Sequence, residues 1–309
     1  MTVLRQAIDS YLELRRSLGF KLKDNSRCLR NFGRFLEERN ADYLTTSLAL
    51  EWATEPREDL ACTWAKRLGY VRGFAEYWSA TDPRTEIPDK RLLPYSASRP
   101  QPHIYSDDEV QRLLDAAKSL TARGGLRPHT YYCVFGLLAV TGLRASEVLN
   151  LERGDVDFPE GVLTIRQTKF GKNRLVPVHP STGEKLAEYA ARRDAWLRTI
   201  SGPFFVNEYR RRLSYTSLIT TFRQVGTQAG LWKATDQRKP RLHDLRHTLA
   251  VNTLIAWYQA GEDVERRMPA LSAFLGHGRV EDTYWYLSLY PELRKLAADR
   301  FEKRWEGSS

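Results

Sequence analysis

Cysteine is scarce in this chain of 309 residues. Cys28, Cys62 and Cys133 are far apart, which leaves no disulfide framework and none of the paired spacing of a zinc finger. Long apolar runs are missing as well: no stretch approaches the roughly 18–20 residues that crossing a bilayer takes, and mean hydropathy is −0.52. The opening MTVLRQAIDSYLELRR carries acids inside its apolar pattern and lacks a signal-peptide core. Neither an internal repeat nor a low-complexity basic tail is visible. These absences set aside disulfide scaffolds, membrane proteins and repeat arrays, and they predict a protein of the reducing cytoplasm with no membrane partner.

What is present is positive charge. A net charge of +10 suits a polyanionic partner, because a basic protein gains affinity for nucleic acid by releasing condensed counterions. On charge alone a merely basic, solvated surface fits equally well. The excess is spread along the chain, with 17 Lys and Arg against 14 Asp and Glu in residues 1–100 and 31 against 24 in the remainder.

The length predicts two domains. Leu4, Ile8, Tyr11, Leu12 and Leu18 recur at helical spacing up to Gly19, and Leu29, Phe32, Phe35 and Leu36 repeat the pattern. Ser47 or Thr46 is placed to cap a short third helix through Leu48 and Trp52. Leu60, Trp64, Leu68, Val71, Phe74 and Trp78 form the stripe of a long fourth, its aromatics suited to a core rather than to stacking on bases. Residues 81–102 hold five of the 14 prolines, and proline removes a backbone donor, so no helix runs through this linker. Ser106 followed by three acids is a helix start. An apolar helix is expected from Tyr131 to Val140, stopped at Thr141-Gly142, then a short helix from about Ser146 to Leu151. Alternation over 161–168 and 174–178 around the turn-rich 169–173 predicts a β-hairpin, with mostly helical chain after Gly183.

Four segments carry the polar groups that chemistry needs. His243-Asp244-Leu245-Arg246-His247 opens an apolar helix, and positions 243, 246 and 247 share one face near an N-terminus that favours anions. Alone, HDLRH reads rather as a salt-bridged arginine beside two structural histidines. His243 and His247 have the spacing of a metal pair, but the glutamate of H-E-x-x-H is missing, so neither metal nor cofactor is expected. Thr141-Gly142-Leu143-Arg144-Ala145-Ser146-Glu147 sets an arginine at a helix junction, where a local pair with Glu147 is the plainer role. Leu275-Gly276-His277 precedes Thr283-Tyr284-Trp285-Tyr286, an aromatic cluster that by itself suits a core.

Taken together and in this order, over about 103–290, these segments resemble the catalytic domain of the tyrosine recombinases, the phage-integrase and Xer-type family. Arg144 matches the family's first arginine box. Lys169, eight positions before Pro177, matches its hairpin lysine, with Lys172 a rival. His243 and Arg246 match its H-x-x-R box, and Leu-Gly-His277 the box after it. Tyr286, nine residues on, falls where the nucleophile is expected. Ser288 departs from a frequent histidine, the stretch from Gly261 to Gly276 is about four residues longer than usual, and Tyr284 is a rival nucleophile expected to face elsewhere. The string TYWYLS also resembles integrases of bacterial mobile elements whose recombinase genes travel in groups.

The fold so implied is mainly α with a small β-hairpin or sheet: a helical core-binding domain at 1–82, a linker at 83–102 and an α+β catalytic domain at 103–309. The resemblance implies a metal- and ATP-independent recombinase joined to DNA through Tyr286, with Arg144 and Arg246 clamping the phosphate. Lys169 is then the general acid, His243 the base, His277 a donor to the phosphate and His247 a supporting group. Its partners are double-stranded DNA and further protomers in a tetramer, sister recombinases included, and its place is the cytoplasm, on the nucleoid. An inactive DNA-binding accessory protein, a type IB topoisomerase and a metal hydrolase through His243, His247 and His277 are the competing readings. The amphipathic helix at 291–305 is set either to dock on a neighbouring subunit or to pack on its own domain.

Overall fold

A computed structural model describes residues 2–55, 60–94, 101–121, 125–166, 173–232 and 239–306. The chain divides into two compact units, Met1–Pro100 and Gln101–Ser309.

Among its described residues the first unit holds four helices, α1 (Val3–Ser17), α2 (Lys23–Glu38), α3 (Thr46–Thr54) and α4 (Ala61–Trp78). Their apolar stripes meet in one core of Leu4, Ile8, Leu12, Leu29, Phe32, Trp52, Leu68, Val71 and Phe74. Of the α4 aromatics, Phe74 is fully buried in this core and Trp78 packs against it, whereas Trp64 is only half-buried; Trp52 of α3 is fully buried, packs on Phe32 and donates Nε1–H to Asn31 Oδ1 at 2.9 Å. Three details differ from the sequence expectation. Thr45, not Ser47 or Thr46, caps α3, its hydroxyl accepting from the Leu48 N–H. Leu18 and Leu60 are exposed, because each lies in the turn flanking a helix, where the backbone leaves the periodic path. Residues 86–89 bond back to this unit, through Glu86 to Leu44 and Thr46 and through Arg72 to the Pro88 carbonyl.

The second unit begins with α5 (Asp107–Lys118), where Ser106 and Glu109 form the capping box expected of that serine. Next comes α6 (Leu126–Thr141), starting five residues earlier than its apolar run suggested, because Pro128 is tolerated in a first turn. Then come α7 (Ala145–Asn150) and an antiparallel sheet of β1 (Val156–Asp157), β2 (Val162–Ile165) and β3 (Arg174–Pro177) in that order, with Leu163 opposite Val176. The turn expected at 169–173 falls largely outside the described residues, and with it Lys169 and Lys172. Strand β1, two residues long, is too short for alternation to announce.

The described residues of the unit hold six more helices: α8 (Pro180–Leu197), α9 (Tyr215–Gln228), α10 (Asp244–Gln259), α11 (Val264–Leu275), α12 (Glu281–Leu289) and α13 (Pro291–Glu306). The long stretch before His277 is therefore mostly helix α11. The helix expected near the C-terminus begins by packing on its own unit, with Leu293 fully buried beside Leu254 and Tyr290. Among the described residues no helix is long and apolar enough to cross a membrane.

Gly142 shows how tightly α6 meets the later helices. Its φ of +59° caps α6, and a Cβ there would lie 2.9 Å from Leu275 and 3.0 Å from Leu249. Left-handed backbone costs an L-residue about 1–2 kcal/mol and overpacking about 1–3 kcal/mol. We therefore expect Gly142→Ala to lower the melting temperature by at least about 5 °C in a unit of this size, readable by calorimetry; an unchanged transition would remove the close-approach argument.

Candidate active site

Four segments of the second unit bring the described candidate residues together. Arg144 precedes α7, directly after the Gly142 cap. His243 sits at the N-cap of α10, with Arg246 and His247 in its first turn. His277 follows Gly276, which ends α11 with a φ of +70°. Tyr286 lies within α12 and is 1% exposed, whereas its rival Tyr284 is 43% exposed.

The Tyr286 hydroxyl and His247 Nδ1 share a hydrogen bond of 3.0 Å, donated by the phenol when Nδ1 carries no proton. The His277 ring stacks on Tyr286 at 6.3 Å, with its Nδ1 bonded to the buried Thr283 hydroxyl at 2.7 Å. The His243 ring meets His247 edge-on at 4.9 Å. The imidazole in hydrogen-bond contact with the phenol is thus His247, which the sequence reading put in a supporting role, while His243 touches that imidazole edge-on. The signal was present at position 247, on the face shared with 243, but no local pattern ranks the two.

The arginines are held by backbone carbonyls. Arg246, 2% exposed, donates Nη1–H to the Gly142 carbonyl at 2.7 Å, and its Nη2 is buried with no hydrogen-bond partner. Arg144 donates Nη2–H to the Gly276 carbonyl at 2.8 Å and Nη1–H to Glu147 at 3.0 Å. The local pair read from the sequence exists, but Glu147 is also gripped by Arg174 through two bonds of 2.9 Å, a residue that sequence reasoning did not single out.

Burial shapes the protonation states. Desolvation pushes the Tyr286 phenol up, and the guanidinium of Arg246, close by without a regular hydrogen bond to it, pulls the other way, as does Arg144. Desolvation pulls Arg246 down to about 10, helped by Arg144, so it stays charged at neutral pH. Burial would raise the Glu147 carboxyl, but hydrogen bonds from Arg174 and from the Arg144 N–H hold it below its ordinary value. Desolvation lowers His243, His247 and His277 to about 4 each, assisted by Arg246 at His243 and His277 and by His243 at His247; an exposed edge tempers the effect at His243. All three imidazoles are therefore neutral at pH 7 and able to accept a proton.

These shifts set a pH dependence of stability. The unfolded chain protonates these histidines near 6.5, and the folded chain only near 4. Between those values the folded state binds fewer protons, so stability rises with pH and is lost on acidification. We expect the melting temperature of this unit to be flat above pH 7 and to fall as pH drops from 6.5 towards 4. A transition unchanged across that window would contradict the neutral state of these histidines at pH 7.

The site thus combines two guanidiniums, one with an unsatisfied buried donor, and a phenol in contact with a neutral imidazole. Among the described residues no group of three or more His, Cys, Asp or Glu side chains is arranged to hold a metal.

The model of the phage integrase family matches residues 104–292. The chain belongs to the phage integrase family of tyrosine recombinases. A putative integrase/recombinase of Sinorhizobium fredii is 49% identical over 311 residues, covering 99% of each chain. The tyrosine recombinase XerC of Chlamydia caviae is 28% identical over 236 residues, 74% of this chain and 68% of that one. Among solved structures, the Tn1549 transposon integrase in complex with transposon right end DNA superposes with a TM-score of 0.70 at 17% identity, covering 98% of this chain and 99% of that one. The fold is thus that of a tyrosine recombinase, mainly helical with one small antiparallel sheet.

Proposed function

We propose that this recombinase cleaves and rejoins duplex DNA through a covalent 3′-phosphotyrosyl link at Tyr286. The observation that carries the reading is the buried phenol at 3.0 Å from His247, close to an Arg246 whose Nη2 has no hydrogen-bond partner. A free phenol, with a pKa of about 10, is a weak nucleophile at neutral pH and needs a base beside it.

In the proposed step His247 takes the phenol proton and the Tyr286 oxygen bonds to phosphorus. The bond from phosphorus to the 5′-oxygen breaks, and that oxygen leaves as a hydroxyl once protonated. Lys169 is the candidate acid for this protonation on the family resemblance; it lies outside the described residues. Arg144 and Arg246 neutralise the non-bridging oxygens, most strongly as charge builds in the transition state. With Thr283 donating to its Nδ1, His277 would carry its proton on Nε2 and give a further donor. A second 5′-hydroxyl reverses the step, with the bond energy kept in the phosphotyrosine. Exchange of two duplexes requires four strand cleavages, and one nucleophile for each gives a tetramer on DNA.

The test is to incubate the protein with labelled duplexes from the DNA flanking its own gene, denature, and look for a protein–DNA adduct. The reading expects an adduct on a defined flanking site, carried by the peptide that contains Tyr286. Failure to form one on any flanking duplex would overturn it. Relaxation of a supercoiled plasmid lacking that DNA would point instead to a topoisomerase.

A further inference from the structure

A tightly built polar feature beside the site that the cleavage scheme leaves unused is the environment of Arg174, the first residue of β3. Its side chain is 12% exposed, and all three guanidinium nitrogens are engaged. Nη1 and Nη2 donate to the two oxygens of Glu147, and Nε donates to the Phe274 carbonyl at 3.2 Å. The same guanidinium lies against the Cα of Gly276, where a Cβ would fall 2.5 Å from Nη1. Glu147 in turn accepts from Arg144 Nη1 and from the Arg144 N–H, and Gly276, through its carbonyl, accepts from Arg144 Nη2. Glu147 and Gly276, which hold the Arg144 guanidinium, therefore both lie against Arg174.

We propose that Arg174 is a positioning residue for the phosphate clamp, fixing Arg144 through Glu147 and the Phe274–Gly276 turn. The inference rests on the cleavage reading above. The physical argument is charge sharing. Glu147 is a buried carboxylate, and a buried charge needs compensation from partners of good geometry. With Arg174 in place, its planar fork satisfies both carboxylate oxygens, so Arg144 needs to give Glu147 only one side-chain N–H. Without Arg174, Arg144 is the one cation left on Glu147, and the carboxylate draws its guanidinium into a closer pair at the expense of the phosphate. The turn before His277 also loses the donor on Phe274. Lysine at 174 keeps the charge but not the fork, so it restores compensation without restoring geometry.

The test compares wild type, Arg174→Lys and Arg174→Gln in single-turnover cleavage of the duplex on which the wild-type adduct forms. Each protein also receives the same duplex with a methylphosphonate at the cleaved position, which removes one negative non-bridging oxygen and with it part of the work of the clamp. Both variants should bind the phosphodiester duplex as wild type does and cleave it about 10²-fold more slowly, the size of effect a misplaced catalytic group produces. The deficit relative to wild type should shrink at least tenfold on the methylphosphonate. A merely structural arginine would slow both substrates equally, and that result overturns the proposal, as does Arg174→Lys at the wild-type rate. Wild-type protein that forms no adduct overturns the cleavage reading and this role together, whereas wild-type cleavage beside an unslowed Arg174→Lys overturns this role alone. Retention of charge in the lysine variant keeps the test available where Arg174→Gln does not fold.

Discussion

Tyr286→Phe should abolish the covalent adduct while leaving DNA affinity within about twofold, since phosphate contacts from many basic groups dominate binding. The substitution removes one oxygen and leaves the ring among Val251, Leu254, Met268 and Leu271, so the packing of α12 is kept. One hydrogen bond to His247 disappears, worth about 1 kcal/mol net in stability. The chemical consequence is far larger, because no other group lies where that oxygen was: cleavage should fall by at least about 10⁴-fold, in line with the scale on which enzymes accelerate such reactions. Adduct formation on denaturing gels and band shift on native gels separate the two effects. Tyr284, two residues earlier and 43% exposed, is the internal control. Its conversion to phenylalanine should leave adduct formation near wild type, and a loss there with activity retained in Tyr286→Phe would exchange the two assignments.

The parts of the site that could be read in advance are those fixed by local backbone. Gly142 and Gly276 each end a helix in the left-handed conformation, and each sets a functional side chain one or two residues later, so box and geometry coincide. Arg246 and His247 belong to a single helical turn, and periodicity placed them on one face. What could not be read arises where elements distant in sequence cross. The contact between His247 and Tyr286 spans 39 positions and depends on how α12 lies across α10; no spacing rule distinguishes His243 from His247 as its partner. Arg174 meets Glu147 across 27 positions and Phe274 across 100, and in the sequence it is simply the first residue of a strand. Thr283 looked like part of an aromatic helix until its hydroxyl proved to lie against His277. The four-helix first unit was legible because each helix buries a regular stripe, and its misread residues, Leu18 and Leu60, lie just where the helical period ends.

Arg246→Met should separate activity from stability more sharply than any other change at this site. The guanidinium is 2% exposed, and its two terminal nitrogens have different fates: Nη1 is satisfied by the Gly142 carbonyl, and Nη2 has no partner. An unsatisfied buried donor costs about 1–3 kcal/mol. Arg144 adds repulsion between like charges, so the folded state bears a strain that methionine would relieve. Against this, the Gly142 carbonyl would lose its donor, a penalty of similar size. The two effects nearly offset, and the melting temperature should move by no more than about 5 °C in either direction for a unit of this length. Cleavage should behave differently. Loss of one preorganised donor aimed at developing charge typically slows the chemical step by about 10²–10³-fold, and here a full positive charge is lost with it. Calorimetry and single-turnover cleavage on the same preparation give both numbers. A strongly destabilised but still active variant would mean that Arg246 is a structural anchor for α6. A stable and inactive one means that the fold tolerates a buried, incompletely bonded cation in order to present it to phosphate.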